Sequence, residues 1–463
     1  LGSMPMSVLE GIRTFSFAPG DMVILNDPYH GGTHLPDITL IAPVFFPKNG
    51  VEELFGFVAS RAHHSDVGGM SPGSMPLSQE IFQEGFIIPP VKIVERGEEK
   101  EGLMKLLLAN VRTPEERAGD LRAQMASNHR GIGRMQELLA RYGHVEVDHY
   151  MRGLLEYAER MTRHLIRDLP DGEYNCQDRM DDDGIDPDPA EITVTITVRG
   201  DEAEVDFSGS SPQRRGSINA VKAITLSAVH YVFRALIALD IPSNSGCMKP
   251  IHVITPEGTI VNAKHPAAVA GGNVETSQRI VDVLLGALAQ AVPERVPAAS
   301  QGTMNNLTIG GYHPGQGKPY AYYETIGGGM GARPGKDGED AIHTHMTNTL
   351  NTPIEALEFS YPFRVQRYEM RKGSGGEGKF HGGDGICREI ELLHEAQVTL
   401  LSDRRKFGPY GLNGGSPGQV GRNMIVRNGE EIELPGKVTV EVQGGDVICI
   451  HTPGGGGYGK GPL

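Results

Sequence analysis

The sequence predicts an α+β fold, and three observations predict it. Short β-favouring runs bounded by Gly, Pro and Asp (MVIL, ITLIAPVFF and LFGFVAS) fill residues 20–60, and similar runs return beyond 365. Between them lie helix formers from 114 to 169 and two later apolar segments of helical length. At 463 residues the chain also exceeds what one hydrophobic core usually supports, so several structural units are expected. Four regions follow: a β-rich part at 1–112 carrying the candidate site, a helical segment at 113–170, a mixed α+β part at 171–364, and a β-rich, glycine-rich part at 365–463.

The helical segment has a start signal. Thr113 is placed to cap, Pro114 takes the first helical position, and Glu116 lies three residues after the cap, as a capping box requires. Breaks are expected near Gly131-Ile132-Gly133 and near Gly143, with a closing turn at Pro170-Asp171-Gly172. EITVTITV then alternates as a half-buried strand does, with DEAEVDFSGS as its hairpin partner. Residues 220–239 are apolar enough for a buried helix, and 277–292 form another that Pro293 stops. REIELL, QVTLLS, NMIVRN, KVTVEV and DVICIH supply the C-terminal strands.

Composition excludes several classes. A net charge of −15 gives no concentration of Lys and Arg for a phosphate backbone, so nucleic acid is not an expected partner. Cysteines 176, 247, 387 and 449 make no CxxC and no zinc-ribbon spacing, which fits reduced thiols in a cytoplasmic protein. No apolar run reaches the roughly 18 residues of a membrane span. The 62 glycines sit in motifs, which points to many tight turns. Gly327 to Gly331 is not followed by GKS or GKT, so the chain carries no phosphate-binding loop of that type.

The chemistry-bearing residues are concentrated early. NDPYHGGTHLPD, residues 26–37, brings Asp27, His30, His34 and Asp37 into one loop between strands, and RAHHSDVGG follows at 61–69 with His63, His64 and Asp66. Two nearby histidine and carboxylate clusters suit a divalent metal with mixed nitrogen and oxygen ligands. The same residue types also cap turns, so both readings stand at this point. In HTHMTNTLNTP, 343–353, His343 and His345 share one face of an extended segment, as ligands, proton carriers or hydrogen-bonded polar groups. Asp120, Gln124 and Asn128 form a polar stripe at helical spacing, which a solvated face explains as well as a functional one. MDDDGIDPDP lacks the glutamate of a calcium loop and reads as an acidic turn.

Taken in order, HGGTHLPDITLIAPVF, RAHHSDVGG, RAGDLRAQ, NSGCMKPIHV, HPAAVAGGNVETSQR, GGGMGARPG, HTHMTNTLNTPIE, GSGGEGKFHGGDG and TPGGGGYG resemble the hydantoinase B/oxoprolinase family across essentially the whole chain. The resemblance implies a B-type subunit of an ATP-dependent hydrolase of cyclic amides such as hydantoins, 5-oxoproline or lactams. A ketone carboxylase subunit is the alternative, and a scaffold subunit with a structural metal is a third. It implies ATP bound by a separate hydantoinase A-type partner in a hetero-oligomer, and a divalent metal (Zn, Mn or Fe) on this chain. By residue-to-residue match the ligands are His34, Asp37 and one of His63 or His64. Asp66, or whichever of His63 and His64 is not a ligand, is the candidate proton carrier, and His343 and His345 are candidates for contact with substrate. Family members continue upstream of LGSMP with a further acidic motif, so a natural N-terminal segment is expected, with its part in the ligand set left open.

Overall fold

The computed structural model describes residues 2–237, 240–347 and 349–461. It is a mixed α+β fold of four separate sheets with no barrel. The strands of the first half are β1 (Met22–Leu25), β2 (Asp37–Lys48), β3 (Val51–His63), β4 (Val91–Glu95), β5 (Glu98–Glu99), β6 (Gly172–Met180), β7 (Ala190–Arg199), β8 (Glu202–Asp206) and β9 (Ile251–Ile254). Those of the second half are β10 (Asn306–His313), β11 (Lys318–Glu324), β12 (Phe363–Arg371), β13 (Gly385–Leu392), β14 (Ala396–Leu401), β15 (Arg422–Arg427), β16 (Glu430–Leu434), β17 (Lys437–Val442) and β18 (Val447–His451). The sheet orders are β3-β2-β1-β4-β5, β6-β7-β8-β9, β11-β10-β14-β17 and β12-β13-β18-β15-β16.

The helices are α1 (Met4–Thr14), α2 (Glu101–Leu108), α3 (Pro114–Tyr142), α4 (His144–Arg167), α5 (Lys222–Ile237), α6 (Ser277–Ala291) and α7 (Ile354–Ser360). α3 lies across β2 and β3, while α6 lies between α5 and the sheet strands β6 and β7. One apolar core takes residues from Met22 to Val296, and a second joins Leu307 to Ile450 across the two C-terminal sheets. No described helix is long and apolar enough to cross a membrane.

Most of the expected elements are present, with informative departures. EITVTITV and its hairpin partner form β7 and β8, antiparallel as alternation required. The apolar segment at 220–239 is α5, observed to Ile237; residues 238 and 239 lie outside the described residues. The helix breaks at Gly143 but runs straight through Gly131-Ile132-Gly133. Thr113 makes no side-chain cap bond; the Glu116 carboxylate lies 3.6 Å from Arg117 instead, so the capping box is absent.

The polar stripe on α3 is not a solvated face. Gln124 and Asn128 are buried, because α3 presses that face onto the sheet, and only Asp120 is exposed. The glycines also do more than turn the chain: a Cβ on Gly329 would stand 1.9 Å from the Gly383 carbonyl oxygen, so glycine-rich segments pack backbone against backbone.

Candidate metal centre

The loop between β1 and β2 is shaped from within. Asn26 donates to the Leu35 and Phe86 carbonyls at 2.9 and 3.0 Å and accepts from the Ile88 N–H at 2.7 Å. Asp27 caps the short turn Pro28–His30 by accepting from the Tyr29 N–H at 2.9 Å, and its other oxygen lies 2.7 Å from His30 Nδ1. Asp27 and His30 therefore serve the turn, the second of the two readings open to them. His34 and Asp37 emerge from the far end of the loop, where β2 begins.

Strand register completes the cluster. Asp37 stands opposite His63 in the β2–β3 ladder, and cross-strand neighbours share a face. Asp37 Oδ2 is 3.1 Å from His34 Nδ1, and Asp37 Oδ1 is 3.4 Å from His63 Nδ1. The two imidazoles stack with centroids 5.1 Å apart. Among the described residues these three form the one group of His, Cys, Asp and Glu able to converge on an ion. Its depth is graded, with His34 buried, Asp37 half-buried and His63 exposed, so one side remains reachable from solvent.

Alternation along the chain sends the next residue the other way. His64 is buried, with Nε2 2.9 Å from Gln124 Oε1, and Gln124 donates in turn to the Ile38 carbonyl at 3.0 Å. Asp66 is buried too and is held by Arg112, through the backbone N–H at 2.7 Å and the guanidinium at 2.9 Å. The structure brings His34, Asp37 and His63 together; it does not bring His64 or Asp66 to them. Both are engaged elsewhere, which removes the geometric basis for a proton-carrying role at this cluster.

His345 Nδ1 is 3.2 Å from the Tyr231 hydroxyl, and the His343 ring faces Asn351. Both rings are held below their ordinary pKa by burial, His345 down to about 4. Met346 and Tyr323, whose ring stacks on His63 at 5.0 Å, pack against the same apolar cluster of Met75, Ala270, Val274, Met304 and Leu401. Residue 348 of the same motif lies outside the described residues.

The electrostatics fit a cation. Burial lowers the His34 pKa, and the facing Asp37 only partly restores it, so the ring is neutral and keeps a lone pair. Burial alone would raise Asp37, but the two facing imidazoles outweigh it and hold the carboxyl well below its ordinary range. Thr33 donates to Asp37 Oδ2 at 2.7 Å. Arg61 is spent on Thr39, Ser3 and Ser7 at 2.8, 2.7 and 2.6 Å. His34 Nδ1 is buried and faces only the Asp37 carboxylate. Separations of 3.1 and 3.4 Å between ligand atoms are close to the ~3.4 Å edge of a tetrahedron with metal–ligand bonds of about 2.1 Å. The donor set therefore fits a divalent ion with at least one position left open.

Sequence reasoning did not single out Asn273, whose Nδ2 lies 3.4 Å from His34 Nε2, or Tyr323. Asn273 lies in HPAAVAGGNVETSQR, where it looked like one motif residue among many; for Tyr323 the sequence offered no signal.

Residues 1–461 match the Hydantoinase B/oxoprolinase family. A protein of Methanocaldococcus jannaschii is 42% identical over 99% of this chain and 80% of its own length. The 5-oxoprolinase of Dictyostelium discoideum is 41% identical over 99% of this chain, which spans only 36% of that protein. Among solved structures, the ATP-dependent caprolactamase from Pseudomonas jessenii superposes with a TM-score of 0.90 at 30% identity, covering 99% of this chain and 81% of that one. A nucleotide-free acetone carboxylase shares the fold, with a TM-score of 0.87 at 20% identity over 99% of this chain and 67% of its own. On the extent of the family match and the identity to its relatives, the chain belongs to the hydantoinase B/oxoprolinase family.

Proposed function

We propose that this chain is the ring-opening component of an ATP-dependent cyclic-amide hydrolase and that His34, Asp37 and His63 hold its divalent metal. The observation that carries the reading is the open-sided cluster of two imidazoles and one carboxylate, with Asp37 facing both rings. Similarity to a 5-oxoprolinase and a caprolactamase, both named for cyclic amides, supports the hydrolase over the carboxylase branch, which rests on a likeness of fold at 20% identity.

An unstrained amide resists water. Phosphorylating its oxygen with ATP destroys amide resonance, after which attack by one water opens the C–N bond to leave an acyl phosphate and a second water releases phosphate from it, so ring hydrolysis is coupled to ATP hydrolysis. The sequence has no phosphate-binding loop of the GKS/GKT type, and this chain spans 36% of the 5-oxoprolinase it resembles. ATP use is therefore assigned to an A-type partner, on a separate chain or on further polypeptide. A divalent metal at the cluster supplies Lewis-acid polarisation and a hydroxide source near neutral pH. The chain's own groups do the rest: Thr33 orients the Asp37 carboxylate, and the buried, neutral His343 and His345 offer ring nitrogens to the substrate's polar groups.

The test is His34→Ala in the protein assembled with its ATP-using partner, assayed on hydantoin, 5-oxoproline, caprolactam, and a ketone with bicarbonate. The expected result is ATP-dependent ring opening in the wild type, and loss of both bound metal and turnover in the folded variant. Undiminished turnover in the variant sinks the site, and ketone carboxylation by the wild type moves the chain to the other branch.

A further inference from the structure

The two imidazoles of the cluster are reached by one element that precedes α6, and we propose that this π-helical turn, Gly272–Thr276, is their positioning device: it holds His34 through Asn273, and His63 through Glu275, Asn306 and Tyr323. The inference rests on the metal reading above and adds to it the residues that set the ring planes and the tautomer.

The turn is unusual in itself. Single π-helical turns are rare and occur often at functional sites, because the extra residue re-aims side chains that a regular helix would carry past their targets. Here the re-aimed residues are Asn273 and Glu275. Asn273 places its side-chain amide 3.4 Å from His34 Nε2, at the long end of a hydrogen bond. The amide's oxygen and nitrogen exchange by a flip. With the oxygen toward the ring it accepts from Nε2–H, the tautomer that leaves the Nδ1 lone pair for a metal.

Glu275 acts at one remove. It is fully buried, and its Oε1 accepts from the Met304 N–H at 2.9 Å and from Asn306 Nδ2 at 2.8 Å. Asn306 also donates to the Leu401 carbonyl at 2.7 Å, so its amide orientation is fixed. That leaves Asn306 Oδ1 to accept from the Tyr323 hydroxyl at 2.8 Å. The Tyr323 ring, pinned by this bond, stacks on His63 with centroids 5.0 Å apart and planes 29° from parallel. His63 is the exposed member of the cluster, and this stack forms one wall of its ring. The two routes from one turn end on the two imidazoles, one at the Asn273 amide beside His34 and the other at the Tyr323 ring stacked on His63.

The test uses the full chain, Zn2+ and Mn2+ as probes, and chelator competition to measure affinity, with unfolding midpoints recorded in parallel. Losing a group that orients a metal ligand costs about 10–100-fold in affinity, so Asn273→Leu and Tyr323→Leu are expected to weaken binding by that factor. Asn273→Asp, which keeps an acceptor at Nε2, and Tyr323→Phe, which keeps the stacked ring, are expected to restore most of it. Equal affinity in all four variants overturns the proposal, as does a loss that follows the unfolding midpoint with no rescue by the conservative pair. A second readout needs no metal: side-chain nitrogen–proton spectra of histidine-labelled protein, assigned with His34→Gln and His63→Gln. One fixed tautomer at His34 that becomes a mixture in Asn273→Leu supports positioning, and spectra unchanged by that substitution refute it. A wild type that binds neither ion would overturn the metal reading, while these spectra still decide whether the turn positions the rings.

Discussion

Two polar clusters in this molecule are built on opposite principles. One is the charge knot of Arg279, Arg404 and Lys437 with Asp178, Asp282 and Asp403, joining β6, α6 and β17. Arg404 meets Asp282 at 2.6 Å and Asp178 at 2.7 Å, Lys437 meets Asp403 at 2.8 Å, and Arg279 meets Asp403 at 3.1 Å. Burial opposes charge on Asp403, yet Lys437 and Arg279 hold its carboxyl far below the ordinary range. The other cluster sets a single carboxylate against two imidazoles and is open on the His63 side. A knot whose charges cancel locks distant segments together and has no use for a ligand. A cluster with surplus lone pairs and an open face is unfinished until something binds it.

That contrast predicts opposite responses to mutation. The largest effect on folding belongs to the knot: Arg404→Leu leaves Asp178 and Asp282 without their main counter-ion. Stripping one partner from a buried ion pair costs about 3–5 kcal/mol. Urea denaturation should show a loss of that size, with metal affinity of the folded fraction unchanged. A loss under about 1 kcal/mol would show that the knot relaxes or admits water, and the contrast would then fail from its closed side.

Asp37→Asn probes the open side. It keeps the shape of the side chain and removes the one negative charge, so metal affinity should fall on the order of 100-fold or more, beyond the usual cost of losing a supporting group. The metal-free protein should unfold at nearly the wild-type urea concentration, and certainly lose less than Arg404→Leu does. If Asp37→Asn destabilised the metal-free protein as much as the knot mutation, the cluster would be structural and its open face incidental.

How much of this was legible beforehand depended on whether the signal was local. The loop with His34 and Asp37 was legible because its turn formers, histidines and carboxylates fall within twelve positions. The choice between His63 and His64 was not. It is made by the register that sets Asp37 opposite His63 and sends His64 to Gln124 on α3. Tyr323, Asn306 and Glu275 lie more than two hundred residues from that loop and meet it only through packing. The break expected at Gly131 failed for a similar reason. A Cβ there would come within 3.2 Å of Val58, so the glycine admits a close approach of α3 to β3 and leaves the helix intact. A glycine in a helix is ambiguous until its neighbour is known.

Glu84 sharpens the comparison because it belongs to neither kind of cluster. It is fully buried, and its Oε1 accepts from Ser78 Oγ at 2.8 Å and from the Val269 and Ala270 N–H groups at 2.8 and 2.9 Å. Its Oε2 has no partner among the described residues. With no cation to offset burial, its pKa is pushed up to about 7. The folded protein thus keeps a proton that the unfolded chain releases near pH 4.5, so stability contributed below that value is lost as pH rises toward and past 7. The loss amounts to at most about 3.5 kcal/mol, since one pKa unit corresponds to about 1.4 kcal/mol. Glu84→Gln retains the accepting oxygen and cannot ionise. The variant and the wild type should therefore unfold together at pH 4 and diverge by roughly 1–3 kcal/mol at pH 8, with the variant the more stable. Parallel curves across that range would mean that the carboxylate is solvated or paired when it ionises. A buried acid would then survive here without either the cations of the knot or the open face of the metal cluster.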